Sequence, residues 1–209
     1  MGLITTYATL QTEAAAMYGN GRTDMTARWP GFIQLCEAEI NRILRVNPQT
    51  GITTLTSASS VLTVPSDFMA IRSIRQTEVV KSRITVTDIV TIERYLGEIA
   101  QTADPEYACE IDGTIYLAPA PGNGVTFKVI YHKKVPSLSD AAPTNWLLTS
   151  HPDVYLYGVL SQASVYDHDD GAMSNYERKF QLGLASILKS EAEHKYGDRL
   201  EMSPNGGVA

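Results

Sequence analysis

The chain has 209 residues, enough to bury a substantial core, and its 44% apolar and 19% charged residues are those of an ordinary folded protein. A formal net charge of −6 without a dense Lys/Arg run lacks the electrostatic footprint of a nucleic-acid binder. No apolar run approaches the roughly 20 residues that span a bilayer, and the start, MGLITTYATLQTE, has neither the basic opening nor the apolar stretch of a secretory signal.

Thr5 or Thr6 can cap a first helix running through Tyr18, with Tyr7, Leu10, Ala14 and Met17 on one stripe. Gly19-Asn20-Gly21 ends it by supplying left-handed backbone. A second helix starts at Asp24 or Thr26 and tolerates Pro30 near its first turn. Its apolar face carries Ile33, Cys36, Ile40 and Ile43, while Glu37, Glu39, Asn41 and Arg42 read as mostly solvated. Asn47-Pro48 closes it, because the residue before a proline disfavours helical backbone.

From Gly51 the period changes. Residues 52–56 and 61–64 flank a Ser-Ala-Ser-Ser stretch and read as a hairpin rich in β-branched residues. Residues 68–75 form a further strand whose imperfect alternation suggests a bulge. Asp88 or Thr87 can cap a short helix bearing Ile89, Ile92, Tyr95 and Leu96. Residues 109–112 and 114–117 pair around Asp112-Gly113, a strong hairpin-turn dipeptide. In the cleanest strand, Val125, Phe127, Val129 and Tyr131 alternate against Thr126, Lys128 and His132. Residues 136–143 read as a polar linker.

Pro152 then stands where a helix begins, its missing N–H costing nothing in the first turn, and Asp153 meets the positive end of the helix dipole. Tyr155, Val159, Ala163 and Tyr166 fall on one stripe, with Leu156 and Leu160 beside it. Gly158 inside this helix costs roughly 1 kcal/mol relative to alanine, which points to a close approach of another backbone. The turn at 167–171 reverses the chain into a helix of residues 171–195, on the order of 37 Å long. One side of it carries Met173, Tyr176, Phe180, Leu184, Ile187 and Leu188, the other Glu177, Arg178, Lys179, Lys189, Glu193 and Lys195. Together the two helices make an αα-hairpin.

Helices at both ends and strands in the middle, without βαβ alternation, give an α+β fold: a helical bundle with a long C-terminal αα-hairpin and a β-rich insertion. The expected divisions are residues 1–48 (N-terminal helices), 49–135 (insertion with a short helix), 136–196 (linker and hairpin) and 197–209 (tail).

Motifs for chemistry are absent: no G-x-S-x-G, no phosphate-binding glycine loop, and no metal-ligand spacing. Asp167-His168-Asp169-Asp170 are four consecutive residues at a turn and cannot all face one cation. Asp169 or Asp170 as a helix cap explains them better, and Ser174 with Glu177 also fits a capping box. Cys36 and Cys109, far apart in sequence, read as buried free thiols. No catalytic residue, metal or cofactor is expected. Eleven tyrosines against four phenylalanines suit subunit contacts, since each buries a large ring and offers a hydroxyl.

The chain from about residue 4 to 196 resembles the head-to-tail adaptor (connector, or neck) proteins of tailed bacteriophages. The likeness is carried by TTYATLQTEAAAMYG, ARWPGFIQLCEAEINRILR, VPSDFMAIRSI, DGTIYLAPAPGNGVTFKVIYHKKVPSLSD and TNWLLTSHPDVYLYGVLSQASVYDHDD. Within it Trp146, Pro152, Asp153, Tyr155, Tyr157 and Gly158 form the most specific element, more fold-defining than binding. The resemblance implies a non-enzymatic virion protein of the neck, assembled in the bacterial cytoplasm. It further implies a ring of twelve copies beneath the portal, with tail or nozzle proteins docking below and double-stranded DNA passing through the lumen. It also implies that a C-terminal extension reaches the portal. Here that extension has a Gly/Pro/Ser-rich composition that needs a partner to order it, and Arg199, Leu200, Met202 and Pro204 are its candidate contacts. The alternatives are a tail-side stopper (tail-completion) protein and, further off, a neck-associated cell-wall hydrolase.

Overall fold

The computed structural model describes residues 4–19, 23–78, 84–98 and 102–196. In chain order the first helices are α1 (Tyr7–Tyr18), α2 (Thr23–Thr26) and α3 (Trp29–Ile43), followed by a 3₁₀ turn at Asn47–Gln49. Strands β1 (Thr50–Thr56), β2 (Val61–Thr63), β3 (Phe68–Gln76) and β4 (Thr85–Val86) lead to α4 (Ile89–Glu98). Then come β5 (Tyr107–Ile111), β6 (Thr114–Ala118), β7 (Thr126–Lys133), and helices α5 (Trp146–Ser150), α6 (Pro152–Tyr166) and α7 (Asp170–Tyr196). The fold is α+β, and the chain divides into two compact units, Met1–Asn47 with Val135–Ala209, and Pro48–Lys134.

The first unit is helical. Thr6 caps α1 reciprocally with Thr9: Thr6 Oγ1 accepts from Thr9 N at 3.2 Å, and Thr9 Oγ1 accepts from Thr6 N at 2.8 Å. The single helix expected after residue 24 is two, α2 and α3. Pro30 cannot donate a hydrogen bond to the preceding turn, so the helix stops and restarts with the proline in its own first turn. The expected stripe on α6 understates its burial. Val154, Tyr155, Leu156, Val159, Leu160, Ser161, Ala163 and Ser164 are all buried, so α6 is enclosed around most of its circumference. Its two ends emerge, with Asp153 exposed in the first turn and Val165 and Tyr166 exposed in the last. α3 and α7 pack along it, and Phe180, Leu184 and Ile187 supply α7's contribution to the core.

The second unit is layered. A three-stranded sheet in the order β1-β7-β3 turns Phe127, Val129, Tyr131 and Ile74 inward. A four-stranded sheet, β2-β6-β5-β4, meets them with Leu62, Ala108, Ile115 and Leu117. On the far side of that second sheet, Cys109 and Ala118 pack under α4 through Ile92. The order of layers is therefore first sheet, main core, second sheet, small core, α4. β5 and β6 form the expected hairpin, with Asp112 (φ 47°) and Gly113 (φ 72°) in the left-handed backbone that a tight hairpin turn needs. β3 carries two register shifts against β7, the expected irregularity.

The hairpin expected between residues 52–56 and 61–64 does not form. β1 pairs with β7 from Thr50↔His132 to Thr56↔Thr126, whereas β2 pairs with β6 in the other sheet. A longer partner wins: β7 offers β1 a ladder along its whole length, and only the bridge Ala58↔Val61 remains of the local pairing.

Candidate interaction surfaces

The signature residues occupy several different environments. Pro152 lies in the first turn of α6 with Asp153 beside it, exposed. Trp146, half-buried, opens α5 and packs against the helical core. Tyr157 stacks on Tyr176 with centroids 6.4 Å apart, and Lys179 Nζ lies 4.7 Å from its ring centre. Gly158 faces side chains, not the backbone expected. A Cβ there would run into Cys36 Sγ and come within 2.9 Å of the Phe180 ring. Burial pushes the Cys36 thiol well up, which keeps it protonated and inert.

Tyr155 enters a buried polar network. Its hydroxyl donates to Glu37 Oε1 at 3.3 Å and accepts from Asn145 Nδ2 at 2.7 Å. Asn145 Nδ2 also donates to the Pro136 carbonyl at 2.7 Å, while its Oδ1 caps α5 by accepting from Leu148 N at 2.8 Å. Glu37 Oε1 accepts from Leu138 N at 2.7 Å, and Asn41 Oδ1 accepts from Val135 N at 2.8 Å. Glu37 is thus not solvated as expected; it is 4% exposed. Burial pushes its carboxyl above the ordinary value, and burial together with the Glu37 charge pushes up the Tyr155 phenol. The sequence did hold a signal: Glu37 stands four residues after Ile33 and three before Ile40, on the apolar stripe itself. The network staples the expected linker, whose Leu138 is buried, to the helices.

Glu177 also departs from its expected solvent side. Ser161 Oγ donates to Glu177 Oε2 at 2.9 Å, and Gln181 Nε2 bridges Glu177 Oε1 at 2.7 Å and Glu39 Oε1 at 3.2 Å. Partial burial, then the nearby Glu177 charge, raises the Glu39 carboxyl. The capping box expected at Ser174 and Glu177 is accordingly not made. The cap is Asp169, whose Oδ1 accepts from Ala172 N at 2.9 Å, while the Tyr18 hydroxyl donates to Asp167 Oδ2 at 3.2 Å. His168 adopts a left-handed φ of 56° in this turn. Among the described residues no group of three or more His, Cys, Asp or Glu is placed to hold a metal ion.

The outer surfaces carry several large apolar side chains, among them Leu35 and Leu182 in the helical unit and Ile52 and Val90 in the β-rich unit. No helix among the described residues is long and apolar enough to cross a membrane. The candidate contacts Arg199, Leu200, Met202 and Pro204 lie outside the described residues.

No curated protein matches the chain. A family model described as SU10 adaptor protein, however, matches residues 5–205. That match runs through both units, from the capped α1 to beyond the long α7, and includes the buried Tyr155 network and the α6–α7 hairpin. The chain therefore belongs to the SU10 adaptor protein family, and is a phage adaptor, a structural protein of the head-to-tail junction.

Proposed function

We propose that this adaptor assembles as a ring of twelve copies beneath the phage portal, joins the capsid to tail or nozzle components, and continues the DNA channel. The observation that carries this reading is the family match over residues 5–205. The fold is compatible with it: a buried α6 held between α3 and α7 makes a rigid body, and a cyclic ring needs each subunit to present two unlike faces. DNA would pass without sequence-specific contact, so the chain's overall negative charge is no obstacle to transit. Residues 198–209, including Arg199, Leu200, Met202 and Pro204, are assigned to the portal contact on the strength of their composition and the family resemblance.

The test is the mass of the purified protein alone and after mixing with its portal ring. A large complex with about twelve adaptor copies, formed on the portal, is the expected result. Failure to bind portal, with binding to tail proteins instead, would transfer the chain to the tail-side stopper role.

A further inference from the structure

The β-rich unit is electrically two-sided. The three strands of the β1-β7-β3 sheet contain Arg72, Arg75, Lys128 and Lys133 and no Asp or Glu. Pairing brings three of them, Arg72, Arg75 and Lys128, together on its outer face, whereas Lys133 at the end of β7 shares the register of the inward-facing residues. Arg75 lies directly opposite Lys128, and Lys128 lies opposite Thr54 on the other side. Arg72 Nη1 reaches across to donate to Thr50 Oγ1 at 3.0 Å. Like charges directly opposite on adjacent strands are destabilising, and none of these three strands supplies a carboxylate to offset them. On the same face Ile52, in edge strand β1, is 63% exposed.

The opposite side has the reverse character. The strands of the β2-β6-β5-β4 sheet contain no Lys or Arg. The covering helix α4 is capped by Asp88, and its outer side carries Glu93 one turn after Val90, which is 72% exposed. The one cation of α4, Arg94, lies over the Tyr95 ring at 5.3 Å from its centre. Each face therefore carries an exposed apolar residue, Ile52 on the edge strand of the basic one and Val90 in the first turn of α4 on the acidic one. Because the layers run from the first sheet through the second to α4, the two faces point in opposite directions.

We infer that the outer face of the β1-β7-β3 sheet docks onto α4 of the next copy of this chain, so that the β-rich units form a continuous head-to-tail contact around the ring. The occupant is a second copy because this unit already carries the matching surface. Ile52 and Val90 leave water together, and Glu93 and the Asp88 cap approach the Arg75–Lys128 pair. Such a contact is heterologous, the kind that generates a closed ring. A nucleic acid on the basic face would account for the cations but would leave Val90 and the acidic side without a partner. This inference rests on the ring reading proposed above.

The experiment uses two full-length variants, Arg75→Glu with Lys128→Glu, and Val90→Lys with Glu93→Lys, each mixed with portal rings and weighed. All substituted positions lie on the surface of the unit, and far-ultraviolet circular dichroism confirms that each variant is folded. Each alone should give at least about tenfold fewer completed rings than wild type, since like charges then meet across the contact. Mixed one to one, the two should recover rings of alternating subunits, because every contact again pairs opposite charges. If the wild type forms rings and the first variant forms them equally well, the docking assignment is wrong and the ring reading stands. If both variants fail and their mixture also fails, the basic face meets something other than α4. A duplex DNA mobility assay then checks for the nucleic-acid alternative, and salt-sensitive binding lost in the first variant would overturn the inference. A wild type that never assembles on portal overturns the ring reading and this inference together.

Discussion

Glu37 is the residue on which the helical unit's internal order turns. It accepts the Leu138 N–H and the Tyr155 hydroxyl inside the protein. Glu37→Ala leaves both donors buried without an acceptor, a loss of about 1–3 kcal/mol for each group left unsatisfied. It should lower the urea midpoint accordingly. Glu37→Gln keeps the accepting oxygen and removes the charge, so it should be far milder. Burial raises the Glu37 pKa in the folded state, so its favourable contribution is complete below the ordinary value of 4.5 and is lost as pH rises through the raised one. The wild-type melting temperature should therefore decline over that interval relative to Glu37→Gln. Parallel curves for the two proteins would remove Glu37 as the titrating group. Gly158 makes a second residue-scale case. Gly158→Ala gains roughly 1 kcal/mol of helix propensity but forces a methyl group against Cys36 Sγ and the Phe180 ring. Overpacking of about 1–3 kcal/mol should win, and adding Cys36→Ala should recover part of the loss in urea titrations.

At the scale of elements, the turn between α6 and α7 depends on one carboxylate. Asp169→Ala removes the acceptor for Ala172 N and should cost about 0.5–2 kcal/mol, read as a lower melting temperature. An unchanged melting temperature would show that Asp170 or solvent takes over the cap. The strands offer a sharper contrast. Leu62, fully buried between the sheets, should cost about 2–5 kcal/mol on truncation to alanine. Ile52→Ser, on the open face of β1, should leave the stability of the isolated chain within about 0.5 kcal/mol while reducing ring yield on the portal. A large stability loss at Ile52 would place it in an intramolecular contact instead. β1 also shows where local reading fails. Residues 52–56 and 61–64 have the composition of a hairpin, yet β1 joins β7, from Thr50↔His132 to Thr56↔Thr126, far away in sequence. Pattern identifies a strand; the choice of partner depends on which ladder is longest and which face it buries.

For the whole molecule, the prediction concerns attachment. Deleting residues 198–209 removes the assigned portal contact and leaves in place every core residue found among the described residues. The truncated chain should keep its melting temperature and co-sediment with portal rings more weakly than the full chain; undiminished co-sedimentation would move the contact elsewhere. At this scale charge also acquires a meaning that composition hides. A net charge of −6 describes an acidic protein, yet one sheet is exclusively basic among its charged residues and the other carries no cation.

Elements whose causes are local could be read from the order of residues alone. The Thr6 cap, Pro152 at the head of α6, the Asp112-Gly113 turn and the alternation of β7 follow from backbone preference and periodicity within a few residues. The adaptor family was legible for a related reason, since its signature around Trp146 to Gly158 is one contiguous stretch. The β1–β7 pairing, the burial of Glu37, the hydrogen-bonded partial burial of Glu177, the enclosure of most of α6, and the gathering of Arg75 and Lys128 on one face emerge only in the folded chain. Each of these depends on a neighbour far away in sequence. The energy of burying, pairing or opposing two groups is set by their distance in space, which no local pattern encodes.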